Sequence, residues 1–332
     1  MGLELETTVI ICTWNRARLL KQTLAAMATL RAPPAGRWEL ILVNNNSTDA
    51  TERVVQEFRD RLPLRCLHET RPGKAHAANL ALEHARGQLL VWTDDDVLPE
   101  PDWLVRYVEA GQRWAECAIF GGSIQPDFEG RPPSWLKTVL PYVPSAYGVR
   151  ECGETPLPIQ PHYVPYGANY AVRAAVQKQF PFDPSLGVRQ RQRVGGYETE
   201  VIRKMLAAGY SGMWVPGAGL RHYVRKQTQT TRFLRHYYRA QGMCAPGTAA
   251  AQQPCATLFG KPRWLWRQAL EAEWRYRWQR LFCRPEVWIQ SLVKASRLWG
   301  ELQRHSSPVN RHPQVGSAIL HQPPNPSRRH AQ

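Results

Sequence analysis

The sequence predicts an α/β fold in which a sheet with a parallel core is flanked by helices. Short apolar runs alternate with amphipathic helical segments through the first hundred residues, and a polar cluster follows each apolar run. This alternation is typical of strand–helix–strand units, whose connections place helices on both faces of a parallel sheet. Ligands of such sheets bind outside the carboxyl ends of the strands, where the polar clusters are expected to lie.

Four strands and three helices are predicted in this region. The strands are expected at 8–12, 39–43, 64–67 and 88–93, and the helices at about 16–30, 49–58 and 75–85. Asn15 is predicted to cap the first helix, and Ser47 or Thr48 the second. Prolines between 126 and 165 predict an irregular middle section. A further helix is predicted from 196 to 208, ended by Gly209, with a strand at 212–216 after it.

Charge is distributed unevenly along the 332 residues. Residues 1–110 contain 13 Lys+Arg and 15 Asp+Glu, whereas residues 221–332 contain 19 and 4. The net charge of +16 therefore belongs mainly to the last third, which indicates an anionic partner for that part alone. The seven cysteines form no C-x-x-C pair, no secretory signal is recognisable and no apolar run is long enough to span a membrane. We therefore expect a soluble protein of the reducing cytoplasm, or one that sits on a membrane surface.

Asp94 and Asp96 stand two residues apart at the end of the fourth predicted strand, so their side chains project from one face. Two carboxylates at a ligand-binding edge suit Mg²⁺ or Mn²⁺, which keep open positions for phosphate oxygens. Such an ion stabilises the charge that develops on a diphosphate leaving group. A solvated acidic turn is the alternative, but the apolar strand in front of the motif favours a metal site.

Six ordered motifs resemble those of family-2 glycosyltransferases of the GT-A fold, over residues 7 to about 242. They lie at 9–16 (VIICTWNR), 43–49 (VNNNSTD), 71–79 (RPGKAHAAN), 93–97 (TDDDV), 166–169 (YGAN) and 195–200 (GGYETE). The resemblance implies a GT-A fold and the transfer of a sugar from a nucleotide-sugar donor to an acceptor hydroxyl, with inversion of configuration. The chain lacks the Q-x-x-R-W sequence of processive synthases, so non-processive transfer is expected.

The resemblance implies donor-binding roles in the first half of the chain. Thr13 and Arg16, with the turn at Asn44, would border the nucleotide base, and Arg71 and Lys74 would meet the diphosphate or the base. Ordinary surface charge is the alternative for Arg71 and Lys74. Many relatives have Asp at the position of Asn44, but an amide oxygen also accepts a hydrogen bond from uracil. A UDP-sugar is therefore the expected donor.

Metal and ribose contacts are implied in the same way. Asp94 or Asp95 would meet the ribose, and Asp96 would bind the metal ion directly with Asp94 beside it. His222 matches a position that often supplies another contact to the metal or the diphosphate, as a neutral imidazole. An ordinary core or surface histidine is the alternative for His222.

The family's catalytic base is usually an Asp that follows Glu at the start of the helix near residue 197. In this chain Glu198 takes that position and Tyr197 replaces the Glu, so Glu200 is the second candidate for the base. An ionised carboxylate at a helix N-terminus can accept the proton of an acceptor hydroxyl. Gly122 and Asn169 are predicted, with Glu200, to lie on the acceptor side.

These motifs divide the chain into three predicted parts. Residues 1–242 are a catalytic domain, with a nucleotide-binding half at 1–110 and an acceptor-side half at 111–242. Residues 243–303 are a basic, Trp-rich extension, in which amphipathic helices are predicted at 263–283 and 286–302. Residues 304–332 are predicted to be disordered.

The apolar stripes of the extension have two interpretations. Trp266, Leu270, Trp274, Trp278 and Leu281 recur at helical spacing among arginines, which suits an anionic membrane surface. Alternatively, the two stripes, over residues 263–302, dock on the catalytic domain. Nucleic acid is a less favoured partner, because no recognition motif accompanies the charge.

We therefore expect an inverting glycosyltransferase that acts on a glycan or lipid-linked acceptor at the cytoplasmic face of a membrane. A sugar nucleotidyltransferase would share the fold and the metal, but it normally opens with a Gly-rich phosphate loop. A catalytically degenerate protein that binds a sugar nucleotide or a membrane is the non-enzymatic alternative, and the substitutions at Tyr197 and Asn44 keep it open.

Overall fold

The computed structural model describes residues 6–33, 37–151, 153–185, 197–244 and 256–304. Within these residues, eight strands form the central sheet. They are β1 (Thr7–Thr13), β2 (Trp38–Asn44), β3 (Leu64–His68), β4 (Leu89–Thr93), β5 (Val97–Pro99), β6 (Cys117–Phe128), β7 (Asn169–Arg173) and β8 (Ser211–Val224). Their order across the sheet is β3-β2-β1-β4-β7-β6-β8-β5. A two-stranded hairpin, β9 (Thr257–Leu258) and β10 (Lys261–Pro262), lies outside this sheet.

Ten α-helices are described in the same residues, together with three short 3-10 turns. The helices are α1 (Ala17–Met27), α2 (Thr51–Phe58), α3 (Lys74–His84), α4 (Trp103–Arg113), α5 (Ser134–Val139), α6 (Ala174–Gln177), α7 (Tyr197–Ala207), α8 (Thr231–Cys244), α9 (Arg263–Phe282) and α10 (Pro285–Gln303). Gly209 follows α7 with a φ of +93°, as its predicted role at the end of this helix requires.

The first half of the fold is the parallel sheet that the sequence predicts. β1 pairs in parallel with β2 and β4, and β2 pairs in parallel with β3. Every residue of β1 and β4 is buried, because helices cover both faces of the sheet. The first two helices each bury one face. Their buried residues are Leu19, Leu20, Thr23, Leu24 and Met27 of α1, and Thr51, Val54, Val55 and Phe58 of α2.

The predicted helix caps are wrong. No side-chain capping bond comes from the residue before α1 or before α2. Instead, Asp49 serves both helices, because its Oδ2 accepts a hydrogen bond from Ala17 N at 3.0 Å and its Oδ1 accepts one from Thr51 N at 3.0 Å. Asn15 has a left-handed backbone, with φ of +52°, and its Oδ1 accepts from Thr48 N. The cap of α1 thus comes from the loop after β2, where sequence neighbours give no signal, whereas the cap of α2 comes from a residue only two positions before Thr51.

The middle of the chain is more regular than the prolines indicate. β6 continues for twelve residues through Pro126, and β7 joins it to β4 in antiparallel pairings. The strand predicted at 212–216 extends to Val224 as β8, with an irregularity in its pairing to β6. Pro126 pairs with His222 in that register, and His222 in turn pairs with Val97 of β5. This long β8 therefore carries His222 back to the edge at which β4 ends.

The C-terminal extension packs on the rest of the chain through α10. The boundary predicted at residue 242 falls inside α8, and Gly242 of this helix lies against the backbone of Arg297 in α10. Trp288, Leu292 and Ala295 of α10 are buried in or beside a cluster shared with α5 and α8. The tail predicted to be disordered lies outside the described residues except for Arg304. In the described part of the chain, no helix combines the length and hydropathy needed to cross a bilayer.

Candidate active site

The acidic motif and His222 meet at the carboxyl edge of the parallel strands. Asp94, Asp95 and Asp96 follow β4 directly, and Asp96 leads into β5. The pairing of β5 with β8 brings His222 to the same place, because Val97 pairs with His222 and Tyr223 N donates to the backbone oxygen of Asp96 at 2.9 Å. His222 consequently lies beside the carboxylate of Asp96, as its place in the family motif implies.

Asp94, Asp96 and His222 form a cluster with the donor set of a divalent cation site. One ligand atom from each lies within 4.8 Å of the other two, and Nε2 of His222 is 3.3 Å from Oδ1 of Asp96. That buried Oδ1 has no hydrogen-bond partner of good geometry in the protein. Burial opposes ionisation of Asp96, but His222 and Arg16 outweigh it and lower the pKa of Asp96 to about 2. An ionised, incompletely bonded carboxylate beside an imidazole fits Mg²⁺ or Mn²⁺.

Arg16 bonds one carboxylate oxygen of Asp95 and one of Asp96. Its Nη1 donates to Oδ1 of Asp95 at 2.8 Å and to Oδ2 of Asp96 at 2.7 Å. Thr13 donates its hydroxyl to Oδ2 of Asp95 at 2.7 Å. Burial raises the pKa of Asp95 to about 6, although Arg16 and Thr13 favour its ionised form. Both oxygens of Asp95 are thus bonded inside the protein, and its side chain is 5% exposed compared with 23% for Asp94.

Lys74 connects the acidic motif to the predicted base. Its ammonium group, at the start of α3, contacts Oδ1 of Asp94 and lies 3.2 Å from Oε1 of Glu198. Glu198 comes from the first turn of α7, 124 residues away in sequence. Residues of the two halves of the chain therefore meet at Lys74. Gly195 and Gly196, at the beginning of the same motif, lie outside the described residues.

The segment opposite Glu198 is held by aromatic contacts. Gly167 lies against the carboxyl group of Glu198, and Tyr166 precedes it. The guanidinium of Arg150 lies 4.0 Å from the ring centroids of both Tyr163 and Tyr166. Arg150 also donates to the backbone oxygen of Val164 at 2.6 Å. Cation–π contacts of this kind fix the turn that backs the candidate base.

Asn44 and Arg71, two predicted donor residues, make local bonds at the ends of β2 and β3. Asn44 is buried, and its Oδ1 accepts a hydrogen bond from Ser47 N at 2.9 Å. Arg71 donates from Nε and Nη2 to Glu69, and its side chain is 64% exposed. The neighbouring Asn45, for which no role was predicted, bonds the backbone of Arg71 and Gly73. The run of asparagines after β2 was the only sequence signal for this support.

The predicted acceptor-side residues have different surroundings. Asn169 is fully buried, and all four hydrogen bonds that its amide can make are made inside the protein. Its partners are Trp103, Tyr107, Ser123 and Ala218. Gly122 lies against this amide, and Glu200 forms an ion pair with Lys204 at 2.9 Å. Asn169 therefore has no polar atom left for an acceptor.

Comparisons with known proteins agree with this geometry. The chain is 30% identical over 104 residues to the glycosyltransferase AglE of Haloferax volcanii, covering 30% of this chain and 34% of AglE. It is 28% identical over 151 residues to validoxylamine A glucosyltransferase of Streptomyces hygroscopicus subsp. limoneus, covering 45% and 33%. The matches thus span about a third of the length of these curated relatives. The mannosyltransferase PcManGT from Pyrobaculum calidifontis, solved with GDP-Man and Mn²⁺, superposes with a TM-score of 0.55 and 20% identity, covering 90% of this chain and 87% of that one.

The fold and the carboxylate cluster at its sheet edge define a GT-A-type α/β domain, as the resemblance of six motifs implies. Residues 8–160 match the family model described as Glycosyl transferase family 2. This match covers a little under half of the chain, and it confirms the predicted resemblance to that family, as the structural likeness confirms the predicted fold class.

Proposed function

We propose that this protein transfers a sugar from a nucleoside diphosphate sugar to an acceptor hydroxyl, with inversion at the anomeric carbon. The observation that carries the proposal is the position of Lys74, which contacts both Asp94 and Glu198. A donor anchored at the acidic motif would present its anomeric carbon to a base only a few ångströms away. The family assignment supports the reaction class.

The donor is proposed to lie along the carboxyl ends of β1, β2 and β4. Thr13, Arg16 and Asn44 would line the nucleotide, with Arg71 near its diphosphate or base. Asp94 suits the ribose hydroxyls better than Asp95, because both oxygens of Asp95 are already bonded to Thr13 and Arg16. The family resemblance favours UDP, whereas PcManGT was solved with GDP-Man, so both nucleotides belong in the donor panel.

Asp94, Asp96 and His222 are the residues that would hold Mg²⁺ or Mn²⁺. When bound, such an ion stabilises the negative charge of the departing diphosphate. The pKa of Asp96, lowered to about 2, keeps that carboxylate ionised and ready for a cation throughout the neutral range. Arg16, with its guanidinium shared between Asp95 and Asp96, would fix the orientation of the carboxylates.

Glu198 is the proposed general base. Its carboxylate would accept the proton of the acceptor hydroxyl as the oxygen forms a bond to the anomeric carbon. The bond between that carbon and the diphosphate oxygen breaks at the same time, and its electron pair leaves with the diphosphate. Lys74, 3.2 Å from Oε1, would hold the Glu198 carboxylate in place for this step.

The acceptor is proposed to be a hydroxyl of a glycan or of a lipid-linked glycan. It would approach past Tyr166, the residue before Gly167, which lies against the carboxyl group of Glu198. Asn169 and Gly122 would support the acceptor side from the protein interior, because the buried amide of Asn169 joins β6, β7, β8 and α4 through its four hydrogen bonds. These two residues are thus proposed to position the acceptor side and not to bind the sugar.

Release of nucleoside diphosphate from a panel of UDP- and GDP-sugars, with Mn²⁺ and candidate glycan acceptors, tests the proposal. The wild-type chain should release diphosphate with a preferred donor and form a product of inverted configuration by NMR. Glu198→Gln should lower turnover at least about a hundredfold with donor affinity unchanged. The matched control Glu200→Gln, in the same helical turn, should stay within about twofold because Glu200 already pairs with Lys204.

Three results would contradict the proposal. Formation of nucleotide sugar from nucleoside triphosphate and sugar phosphate would indicate a nucleotidyltransferase. Donor binding without turnover across the panel would indicate a binding protein. Near-normal turnover of Glu198→Gln, with a large loss in Glu200→Gln, would transfer the base role to Glu200.

A further inference from the structure

Exposed apolar side chains are concentrated in the C-terminal extension. Twelve large apolar side chains are exposed among the described residues, and eight of them lie between 256 and 304. These eight are Leu258, Phe259, Leu270, Trp274, Trp278, Leu281, Phe282 and Val287. Contiguous exposed apolar surface of this kind marks an interaction site more often than a scattered single residue does.

Four of these side chains form one stripe on α9. Leu270, Trp274, Trp278 and Leu281 follow one another at spacings of four, four and three residues, so they share one face of the helix. They are 57%, 69%, 50% and 77% exposed. The stripe is about 16 Å long at the rise of an α-helix. We call this stripe the outer face of α9.

The opposite face of α9 is the one that packs. Its buried residues are Leu265, Ala269, Ala272 and Tyr276. Both nitrogens Nη1 and Nη2 of Arg235, in α8, lie 3.0 Å from the carboxylate of Glu273 in α9. The helix is therefore anchored through one side, and the outer face is what remains after its intramolecular packing is complete.

Basic side chains flank the outer face. Arg263, Arg267 and Arg277 lie on the same side of the helix as Trp274, and all three are exposed. Of the two acidic residues in α9, Glu273 is only 14% exposed and is neutralised by Arg235 and Arg277. The surface around the stripe is therefore positive, with Glu271 as the single exposed acid of α9.

The two predicted stripes of the extension thus differ in burial. The stripe of α10 docks on the protein, since Trp288, Leu292 and Ala295 are buried. The stripe of α9, from Leu270 onward, faces away from the protein. The docking interpretation therefore describes α10, and the outer face of α9 stays exposed.

We propose that the outer face of α9 docks on an anionic lipid bilayer. Indole rings settle at the boundary between headgroups and acyl chains, and leucine side chains enter the acyl region beside them. Arginines at the rim bind lipid phosphates, so the positive charge of this surface selects anionic lipids. The proposal does not depend on sugar transfer, because it concerns a surface that contains no residue of the candidate active site.

Co-sedimentation of the full chain with liposomes, in the absence of donor, tests this proposal. The vesicles are phosphatidylcholine alone or phosphatidylcholine mixed with phosphatidylglycerol. We expect binding to the mixed vesicles that weakens as salt rises, and little binding to phosphatidylcholine. Trp274→Ser with Trp278→Ser should weaken binding at least about tenfold. Arg263→Glu with Arg267→Glu should weaken it by at least about thirtyfold, since each basic residue near the surface contributes.

Matched controls replace exposed residues of the same types elsewhere. Leu157→Ser with Tyr142→Ser removes two exposed apolar side chains, and Arg86→Glu with Arg131→Glu reverses two exposed charges. Both controls should bind the mixed vesicles as the wild type does, and circular dichroism should show all variants folded. No binding at low salt, equal binding to both vesicles, or equal loss in the controls would each overturn the proposal. A lipid-independent dimer by sedimentation velocity that the tryptophan variant abolishes would instead assign the outer face to a second copy of the chain.

Discussion

A β-carbon at residue 167 would lie 2.5 Å from Oε1 of Glu198 and 2.6 Å from its Cδ. Gly167 and Glu198 belong to two motifs that are separated by about thirty residues of sequence. Their contact means that the acceptor-side turn has no room for a side chain where the carboxylate lies. The absence of a side chain at residue 167 therefore helps to set the position of the candidate base.

We expect Gly167→Ala to lower turnover by about a hundredfold, because the added methyl group must displace the Glu198 carboxylate by a fraction of an ångström or more. Donor affinity should change by less than about twofold, since the substitution does not touch the carboxyl ends of β1 or β2. Steady-state kinetics and donor titration measure both. Gly219→Ala is the control, as its β-carbon would meet Ser123 Oγ at 3.1 Å and lies against no candidate active-site residue. Equal activity in the two variants would contradict this prediction.

His222 is expected to contribute to metal affinity. His222→Ala should weaken Mn²⁺ binding by at least about tenfold in calorimetry, because it removes one ligand of the cluster with Asp94 and Asp96. His68→Ala is the matched control, since His68 belongs to a second, largely exposed group with Glu52 and Cys66. If the His68 variant loses Mn²⁺ affinity and the His222 variant does not, the metal site has been assigned to the wrong group.

Gly300→Ala is expected to destabilise the protein by about 1–3 kcal/mol. Its β-carbon would lie 2.0 Å from the backbone oxygen of Arg239, where α10 crosses α8. The sign is diagnostic, because Gly→Ala in an open helix stabilises by about 1 kcal/mol. Urea unfolding measures the change, with Gln290→Ala on the exposed side of the same helix as control. A more stable Gly300→Ala variant would mean that the two helices do not approach so closely.

Glu69 is expected to make stability depend on pH in acid. Hydrogen bonds from the Arg71 side chain lower the pKa of Glu69 from 4.5 to about 2. The ionised form therefore stabilises the fold fully above the unfolded-state pKa of 4.5, and this contribution is lost as pH falls towards 2. Between about pH 6 and about pH 3, Glu69→Gln should lose less unfolding free energy than the wild type. The unfolding free energy of the exposed Glu83→Gln variant should change with pH as that of the wild type does. A Glu69→Gln curve parallel to the wild-type curve would show that Glu69 does not cause the acid dependence.

The sequence predicts the parallel half of the fold because its inner strands are largely buried on both faces. Such strands are continuous apolar runs with clear ends, so β1, β2 and β4 were placed within about a residue or two. The half-buried edge strand β3 was placed as closely. The strands β6 and β7 were missed. Pro126 lies in a part of β6 that pairs with β8 but no longer with β7, and proline is tolerated in strands at such edge positions.

Residues that act through distant contacts were the least predictable part of the site. Lys74 was expected to meet the diphosphate or the nucleotide base, but its ion pair with Glu198 depends on how the fold brings the start of α7 to the start of α3. Asn169 belongs to a recognisable motif, yet only the structure reveals that its buried amide makes all of its hydrogen bonds inside the protein. Similarly, α9 and α10 have comparable stripes in sequence, and tertiary packing decides which of them is covered.

Asp49 caps both α1 and α2, and this links the two loops that would determine donor preference. One carboxylate ends the loop after β1 and the loop after β2, because its oxygens bond to Ala17 and Thr51. The two loops therefore form a single wall around the proposed nucleotide site, and neither can be reshaped without straining the other. A substitution that widens one loop would need a compensating change across Asp49, so new nucleotide preferences should arise through paired mutations.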